Sequence, residues 1–168
     1  MVSMGSMRKR WWLVATGLYL FSGGWQDANS QAKPGPPIPV ELNRLEPLPA
    51  TGSSPGEAEA SGRGCRVYIM VTNPDPEPIS QLLLDVMLFN TNGIVFHRGS
   101  FDFAPLAAHK TLVRVFDIQG QPCDGISRVL VNDVLACSVG QGTDTNQQRQ
   151  ACLDRLQLSS RAKAELTK

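Results

Sequence analysis

Hydrophobic and polar residues alternate with a period of two along several short segments in the middle of the chain. In residues 65–72, CRVYIMVT, every second position is apolar, beginning at Cys65. Such alternation with β-branched residues is typical of a half-buried strand. Residues 111–118 and 126–137 show similar patterns and predict two more strands. The inward face of 111–118 is ambiguous, because both Val113/Val115 and Leu112/Phe116 could form it.

A hairpin is predicted between Ile79 and Phe103. Its first strand ends at Asn90-Thr91-Asn92-Gly93, and the second carries Ile94, Phe96, Phe101 and Phe103. Asn-Gly supplies the positive φ angles that a tight connection requires.

The second face of the first hairpin strand is also apolar, since it carries Leu83, Met87 and Phe89. We call these three residues the β-stripe. Either other parts of the chain cover the β-stripe, or it is a surface that binds a partner, because large exposed apolar patches are rare on monomers.

The predicted fold class is all-β. Several short strands separated by Pro and Gly, with no 3.6-residue period between 65 and 138, favour a small antiparallel immunoglobulin-like β-sandwich over those residues. Residues 139–168 are predicted to form a linker and a short C-terminal helix, which docks through Cys152, Leu153 and Leu156 and then frays.

The first 64 residues are predicted to lie outside this domain. Residues 1–32 resemble a secretory signal peptide, with a charged start at Arg8-Lys9-Arg10 and an apolar stretch too short to span a bilayer. This predicts a periplasmic protein exported by the general secretory route. Residues 33–64 form a Pro/Gly-rich linker, and residues 40–46 within it are either an edge strand or a disordered spacer.

Four cysteines follow the predicted leader, and an even number in an exported chain suggests two disulfides. If 65–72 pairs antiparallel with 111–118, Cys65 lies near the loop that holds Cys123. We therefore expect bonds between Cys65 and Cys123 and between Cys137 and Cys152, unless a turn at Asn132-Asp133 brings Cys123 and Cys137 together.

The net charge and the spacing of the cysteines and histidines limit the classes of function that are expected. The formal net charge is +1, and it becomes −1 without the predicted leader, which removes three basic residues and one acidic residue. A chain without a clustered basic face is not expected to bind nucleic acid or an acidic membrane surface, and no transmembrane segment is predicted in the mature chain. No two cysteines have C-x-x-C spacing, and His97 and His109 are the only histidines, so neither a metal site nor a cofactor is expected.

No catalytic motif is present, such as a Gly-x-Ser-x-Gly elbow or a phosphate-binding glycine loop. Asp85, Asp102 and Asp117 are expected to be exposed or to form bulges, and Asn132-Asp133 is expected to form a turn or a bulge with bonds to the backbone.

The run LLLDVMLFNTNGIVF, residues 82–96, resembles the core of FxLyD-type domains, in which an apolar strand ends in an aromatic-Asp pair before a Gly turn. Phe89 is the aromatic residue here, and Asn90 replaces the Asp. The resemblance covers about residues 65–137 and implies a small immunoglobulin-like module of exported bacterial proteins, with no catalytic residues.

Four further runs, VELNRLE, GCRVYIMVTNP, LVNDVLAC and ACLDRL, resemble a group of uncharacterised exported bacterial proteins. This second likeness implies order at 40–46 and a structural role for Cys152.

The function expected from these features is non-catalytic binding of a protein or of the cell envelope, with the β-stripe or the Pro-rich segment as the contact surface. The alternative is a small periplasmic enzyme or enzyme inhibitor that uses the loop at 119–125, and a pocket gathering Asp117, Asp124, His109 or Asn132 would support it. The specific partner is not identified by the sequence.

Overall fold

The computed structural model describes residues 35–49 and 64–168. The predicted leader at 1–32 and two parts of the predicted linker, residues 33–34 and 50–63, lie outside the described residues. The described part contains one α-helix, a short 3₁₀ turn at Cys123–Gly125, and eight strands. Their bounds are β1 Ile38–Pro47, β2 Gly64–Thr72, β3 Ile79–Asn90, β4 Val95–Asp102, β5 Thr111–Gln119, β6 Ile126–Val139, α1 Asn146–Arg155, β7 Leu156–Ser160 and β8 Glu165–Thr167.

The strands form two four-stranded sheets, and the predicted all-β sandwich is confirmed. Sheet A has the order β5-β2-β1-β7, and sheet B has the order β4-β3-β6-β8. Strand β2 pairs antiparallel with β5, as predicted. Two pairings are parallel instead, β1 with β7 and β6 with β8, because both of these C-terminal strands reach their sheet through a crossover.

The core lies between the inward faces of the two sheets. The alternate residues of β2 that begin with Cys65 are buried, and so are Leu82, Leu84, Val86 and Leu88 of β3. Burying one aliphatic side chain of this size contributes about 1.5–3 kcal/mol.

Strand β5 contributes Leu112 and Phe116 to the core, which resolves the ambiguity about its inward face. The Phe116 ring stacks on the Phe101 ring of β4, with centroids 3.8 Å apart. This stack links the outermost strand of sheet A to the outermost strand of sheet B.

The predicted hairpin joins β3 to β4. The Asn90 side-chain oxygen accepts hydrogen bonds from the backbone N–H groups of Asn92 and Ile94, both at 3.0 Å. Gly93 has a φ angle of 76°, a conformation that glycine adopts at little cost.

Strands outside the predicted domain extend the sandwich at both ends of the chain. The segment 40–46 is part of β1, which is an inner strand of sheet A between β2 and β7 and not an edge strand. The predicted boundaries of 65–138 are therefore too narrow.

The expectation that the chain frays after its C-terminal helix is wrong. The helix α1 begins after Thr145, whose side-chain oxygen accepts a hydrogen bond from the Gln148 N–H (3.1 Å), and it is followed directly by β7. Leu156 of β7 and Leu166 of β8 are buried in the core. These strands are too short to show a periodic pattern of apolar residues. Each is stabilised by pairing with a strand that is distant in sequence.

Two disulfides hold the sandwich together. Cys65 is bonded to Cys123, and Cys137 is bonded to Cys152, which is the pairing expected from the strand order. The second bond attaches α1 to β6. Of the helices in residues 35–49 and 64–168, none has the length and apolar character needed to cross a membrane.

Candidate interaction surface

The β-stripe lies on the outward face of sheet B, opposite the core residues of β3. Leu83, Met87 and Phe89 are all half-buried. The helix α1 packs against β6 of the same sheet. Whether these three residues bind a partner stays a prediction.

A buried carboxylate interrupts the β-stripe. The side chain of Asp85 is only 4% exposed, although a strand aspartate was expected to be exposed or to form a bulge. Arg98 of β4 donates two hydrogen bonds to this carboxylate, both 2.9 Å long, and Asn132 of β6 donates a third at 2.7 Å. Because Arg98 and Asn132 stabilise the charged form, they hold the pKa of Asp85 below its ordinary value, against the effect of burial.

This network also explains the polar pair at Asn132-Asp133. The register between β3 and β6 shifts at this point, and the bulge that results was expected from the sequence. The Asp133 side chain accepts a hydrogen bond from the backbone N–H of Val134 at 2.7 Å, as expected, whereas the Asn132 side chain bonds to Asp85 and joins β6 to β3.

Phe89 is covered by a cation. The Arg128 guanidinium lies 4.0 Å from the centroid of the Phe89 ring, a favourable arrangement for a cation and an aromatic face. The β-stripe is therefore divided by Asp85 and partly covered by long charged side chains, and it does not form a continuous apolar patch.

The outward face of sheet A is more open. Val113 and Val115 of β5 are 51% and 47% exposed, and with Ile94 and Val95 they are the most exposed large apolar residues in the described ranges. Their cross-strand partners on β2, Met70 and Tyr68, are half-buried. We call Val113, Val115, Met70 and Tyr68 the valine patch.

Polar pairs border the valine patch at both ends. Arg66 and Asp117 form a two-bond ion pair at 2.7 and 3.0 Å at one end, and the hydroxyls of Thr72 and Thr111 lie 3.0 Å apart at the other. The Tyr68 hydroxyl donates to Glu46 at 2.6 Å, which raises the pKa of Tyr68. An apolar centre with a polar border is typical of a protein interface.

The backbone beside the valine patch is also available. In the part of the chain that the structure describes, β5 is an outermost strand, and only β2 pairs with it. The Asn73 N–H donates to the Lys110 carbonyl (2.8 Å) at the start of this pairing. From there, residue pairs that are hydrogen-bonded to each other alternate with residue pairs that are not, as in any antiparallel ladder. The alternation directs the backbone N–H and C=O groups of Thr111, Val113, Val115 and Asp117 toward the free edge.

The residues considered for catalysis are not brought together. His109 lies in the turn before β5, whereas Asp117 is paired with Arg66 and Asn132 is bound to Asp85. A cleft of about 430 Å³ lies beside Asp124, and its lining includes Cys123, Arg161 and Lys163. Among the candidates for the alternative enzymatic function, Asp124 is the only one on this cleft.

Sequence reasoning did not select the valine patch. The available signal was the ambiguity of 111–118, where apolar residues occupy both faces of one strand. The exposure of Val113 and Val115 follows from the position of β5 as an edge strand of sheet A among the strands of residues 35–49 and 64–168.

Comparisons with known proteins give little information about this chain. No family model matches it, and no curated protein matches it. A solved structure of IrmA from Escherichia coli matches with a TM-score of 0.44 and 12% sequence identity, covering 72% of this chain and 89% of that chain. This is a distant structural relationship alone.

Proposed function

We propose that this chain is a non-catalytic binding module that acts outside the cytoplasm and recognises another protein through the edge of sheet A at β5. The observation that supports this proposal is the combination of two half-exposed valines with a free strand edge. An exposed edge of this kind is a template for a further strand, and natural proteins usually protect it.

The recognition mode that suits this surface is the addition of an extended segment to β5. Backbone hydrogen bonds along the free edge would provide affinity, and contacts with alternate side chains would provide selectivity. Val113 and Val115 direct their side chains to the outward face, where a segment with β-branched residues would pack against them.

The location proposed for this function is the periplasm, reached by the general secretory route. The two disulfides are typical of an oxidising environment outside the cytoplasm. The leader-like residues 1–32 and the resemblance to FxLyD-type domains of exported proteins also support the proposal.

A displayed library of random ten-residue peptides tests the proposed surface. The chain from Lys33 to Lys168 is immobilised in its oxidised form, and selection is carried out in parallel on the Val115→Lys variant. We expect the unmodified chain to enrich peptides with alternating β-branched residues at least tenfold over the variant. The reason is that a lysine at the centre of an edge strand opposes strand addition.

The Ile94→Lys variant is the matched control. Ile94 is 61% exposed at the tip of the β3–β4 hairpin, so this substitution adds the same charge away from β5. It should enrich the same peptides as the unmodified chain. Equal enrichment by the unmodified chain and Val115→Lys, or no enrichment by either, would overturn the proposal.

A further inference from the structure

Arg114 is a charged residue on the inward side of β5. Its neighbours on that side of the strand, Leu112 and Phe116, pack against the core, whereas Arg114 is half-buried at the open edge of the sandwich. One terminal nitrogen of the guanidinium donates to the Ala104 carbonyl at 2.9 Å. The side chain therefore spans from β5 to the connection that follows β4.

The remaining donors of Arg114 have no acidic partner. Within residues 35–49 and 64–168, Arg114 takes part in no ion pair, and its Nε atom is buried without a hydrogen-bond partner. Buried polar atoms in native proteins are nearly always bonded, so an unsatisfied cationic donor requires an explanation.

One other guanidinium in the described residues has the same deficit. The Nε atom of Arg128 is also buried without a partner, but that guanidinium lies over the Phe89 ring. Arg114 has no aromatic ring beneath it among the cation–ring contacts of the described residues, and it lies beside a free strand edge. The position of Arg114, and not its lack of a partner alone, points to a ligand.

We infer that the segment added to β5 carries an acidic side chain opposite Arg114. This inference rests on the proposed function, because it concerns the same edge. An Asp or Glu of the partner would accept hydrogen bonds from the terminal nitrogens of the guanidinium, because the Nε atom is enclosed by the chain itself. Bonds between a guanidinium and a carboxylate are among the strong hydrogen bonds in proteins.

The alternation of β5 specifies the rest of the segment. Residues two positions before and after the acid would face the side of Leu112 and Phe116, where apolar side chains fit. The residues between them would face the side of Val113 and Val115, where β-branched residues fit. The expected partner segment is therefore extended and apolar, with one acidic residue on its inward side.

A second copy of the chain suits this edge less well. Two β5 strands paired antiparallel about their central residue, Val115, would place each Arg114 opposite Phe116 of the other copy. That pairing offers the guanidinium no carboxylate on the inward side of the strand, where the other residues of β5 are apolar. The unpaired cation thus favours an acidic segment from a different protein.

The peptide library described above tests this inference with two variants of one residue, Arg114→Gln and Arg114→Glu. We expect the unmodified chain to enrich peptides with Asp or Glu at one fixed position. For such a peptide made by synthesis, Arg114→Gln should weaken binding about ten- to thirty-fold, because a charged hydrogen bond is lost. Arg114→Glu should reject these peptides and enrich peptides with Lys or Arg at that position.

The possible outcomes separate the inference from the function on which it rests. Enrichment that depends on Val115 but shows no acidic preference and no change in Arg114→Gln overturns the inference and leaves the proposed function standing. Enrichment that is insensitive to Val115→Lys overturns both. Dimerisation of the unmodified chain that is lost in Val115→Lys, measured by sedimentation, assigns the edge to a second copy and also overturns the inference.

Thermal melting of each variant provides a control for folding. Arg114→Lys keeps the positive charge and should retain the acidic preference with reduced affinity, since it loses the two-pronged geometry of arginine. A purely structural role for Arg114 would change melting in all three variants without reversing the charge preference in Arg114→Glu.

Discussion

The edge strands on the two sides of the sandwich differ in length. On the side formed by β7 and β8, which we call the closed side, the edge strands have five and three residues. On the side formed by β4 and β5, the open side, they have eight and nine residues. Short edge strands offer few free backbone groups, whereas long ones can pair with another chain.

The closed side is also secured by more contacts. The disulfide at Cys137–Cys152 ties α1 to sheet B, and Arg155 at the end of α1 forms a 2.6 Å ion pair with Asp75. Lys168 donates to three carbonyls near the end of α1, including that of Leu156 at 2.8 Å.

On the open side, the two edge strands are linked to each other by the Phe101–Phe116 stack and by the hydrogen bond from Arg114 to Ala104. The closed side therefore combines short edge strands with a covalent bond, whereas the open side presents two longer edge strands.

Removal of the disulfide on the closed side should have the largest effect. Replacing Cys137 and Cys152 together with Ala should lower the free energy of unfolding by about 3 kcal/mol, since the bond closes a loop of 15 residues. Urea denaturation measures this change. Hydrogen exchange should accelerate in α1, β7 and β8 and stay the same in β5, and equal acceleration on both sides would contradict the comparison.

Loss of the buried ion pair between Arg155 and Asp75 should have the second-largest effect on stability. Arg155→Met leaves the Asp75 carboxylate without its cation, and both side chains are only 10% exposed. We expect a loss of about 2–3 kcal/mol in unfolding free energy, because an unpaired buried charge is costly. Arg44→Met is the matched control, since Arg44 pairs with Glu46 at the surface, where their side chains are 62% and 35% exposed. Similar losses in both variants would show that the closed side does not depend on Arg155.

The same substitution on the two outward faces should give unequal results. Leu83→Glu on sheet B should lower the unfolding free energy by about 1–2 kcal/mol, because it places a charge at a half-buried position beside the buried Asp85. Val115→Glu on sheet A should cost less than about 0.5 kcal/mol, because the side chain is already half-exposed. Urea denaturation of both variants measures the difference, and a larger cost at Val115 would reverse the assignment of the open face.

Acid should weaken the closed side gradually, with the smallest effect. Two hydrogen bonds from Arg149 and one from the Cys137 N–H lower the pKa of Asp144 to about 2. Because this pKa lies below the value of about 4 in the unfolded chain, the stabilisation is present above pH 4 and is lost as the pH falls from 4 to 2.

The corresponding measurement is the melting temperature of Asp144→Asn across that pH range. It should fall less steeply than that of the unmodified chain. Asp124→Asn removes an exposed carboxylate that forms no ion pair in the described ranges, and it should follow the unmodified chain. A parallel fall in all three proteins would exclude Asp144 as a contributor.

Local chemistry was sufficient to predict much of the fold. Asn90 and Gly93 define the hairpin because their side-chain and backbone preferences suit a tight turn. The inward face of β2 follows from simple alternation. The disulfide pairing followed from one correct antiparallel pairing, which placed Cys65 beside the loop of Cys123.

The features that could not be predicted depend on contacts between residues that are distant in sequence. Strands β7 and β8 were missed because five and three residues are too few to show a period, and both are held in parallel pairs with β1 and β6. Asp85 was expected to be exposed or to form a bulge; the register does shift beside it, but nothing local shows that Arg98 and Asn132 converge on its carboxylate.

By itself, the sequence determined the five strands β2 to β6, where the hairpin turns, and how many disulfides can form, because these properties depend on near neighbours. Only the tertiary structure decided that Val113 and Val115 are exposed while Leu83 is half-buried, and that Arg114 has no acidic partner in the described residues. The physical reason is that alternation defines the two faces of a strand, but the position of that strand in its sheet determines what covers each face.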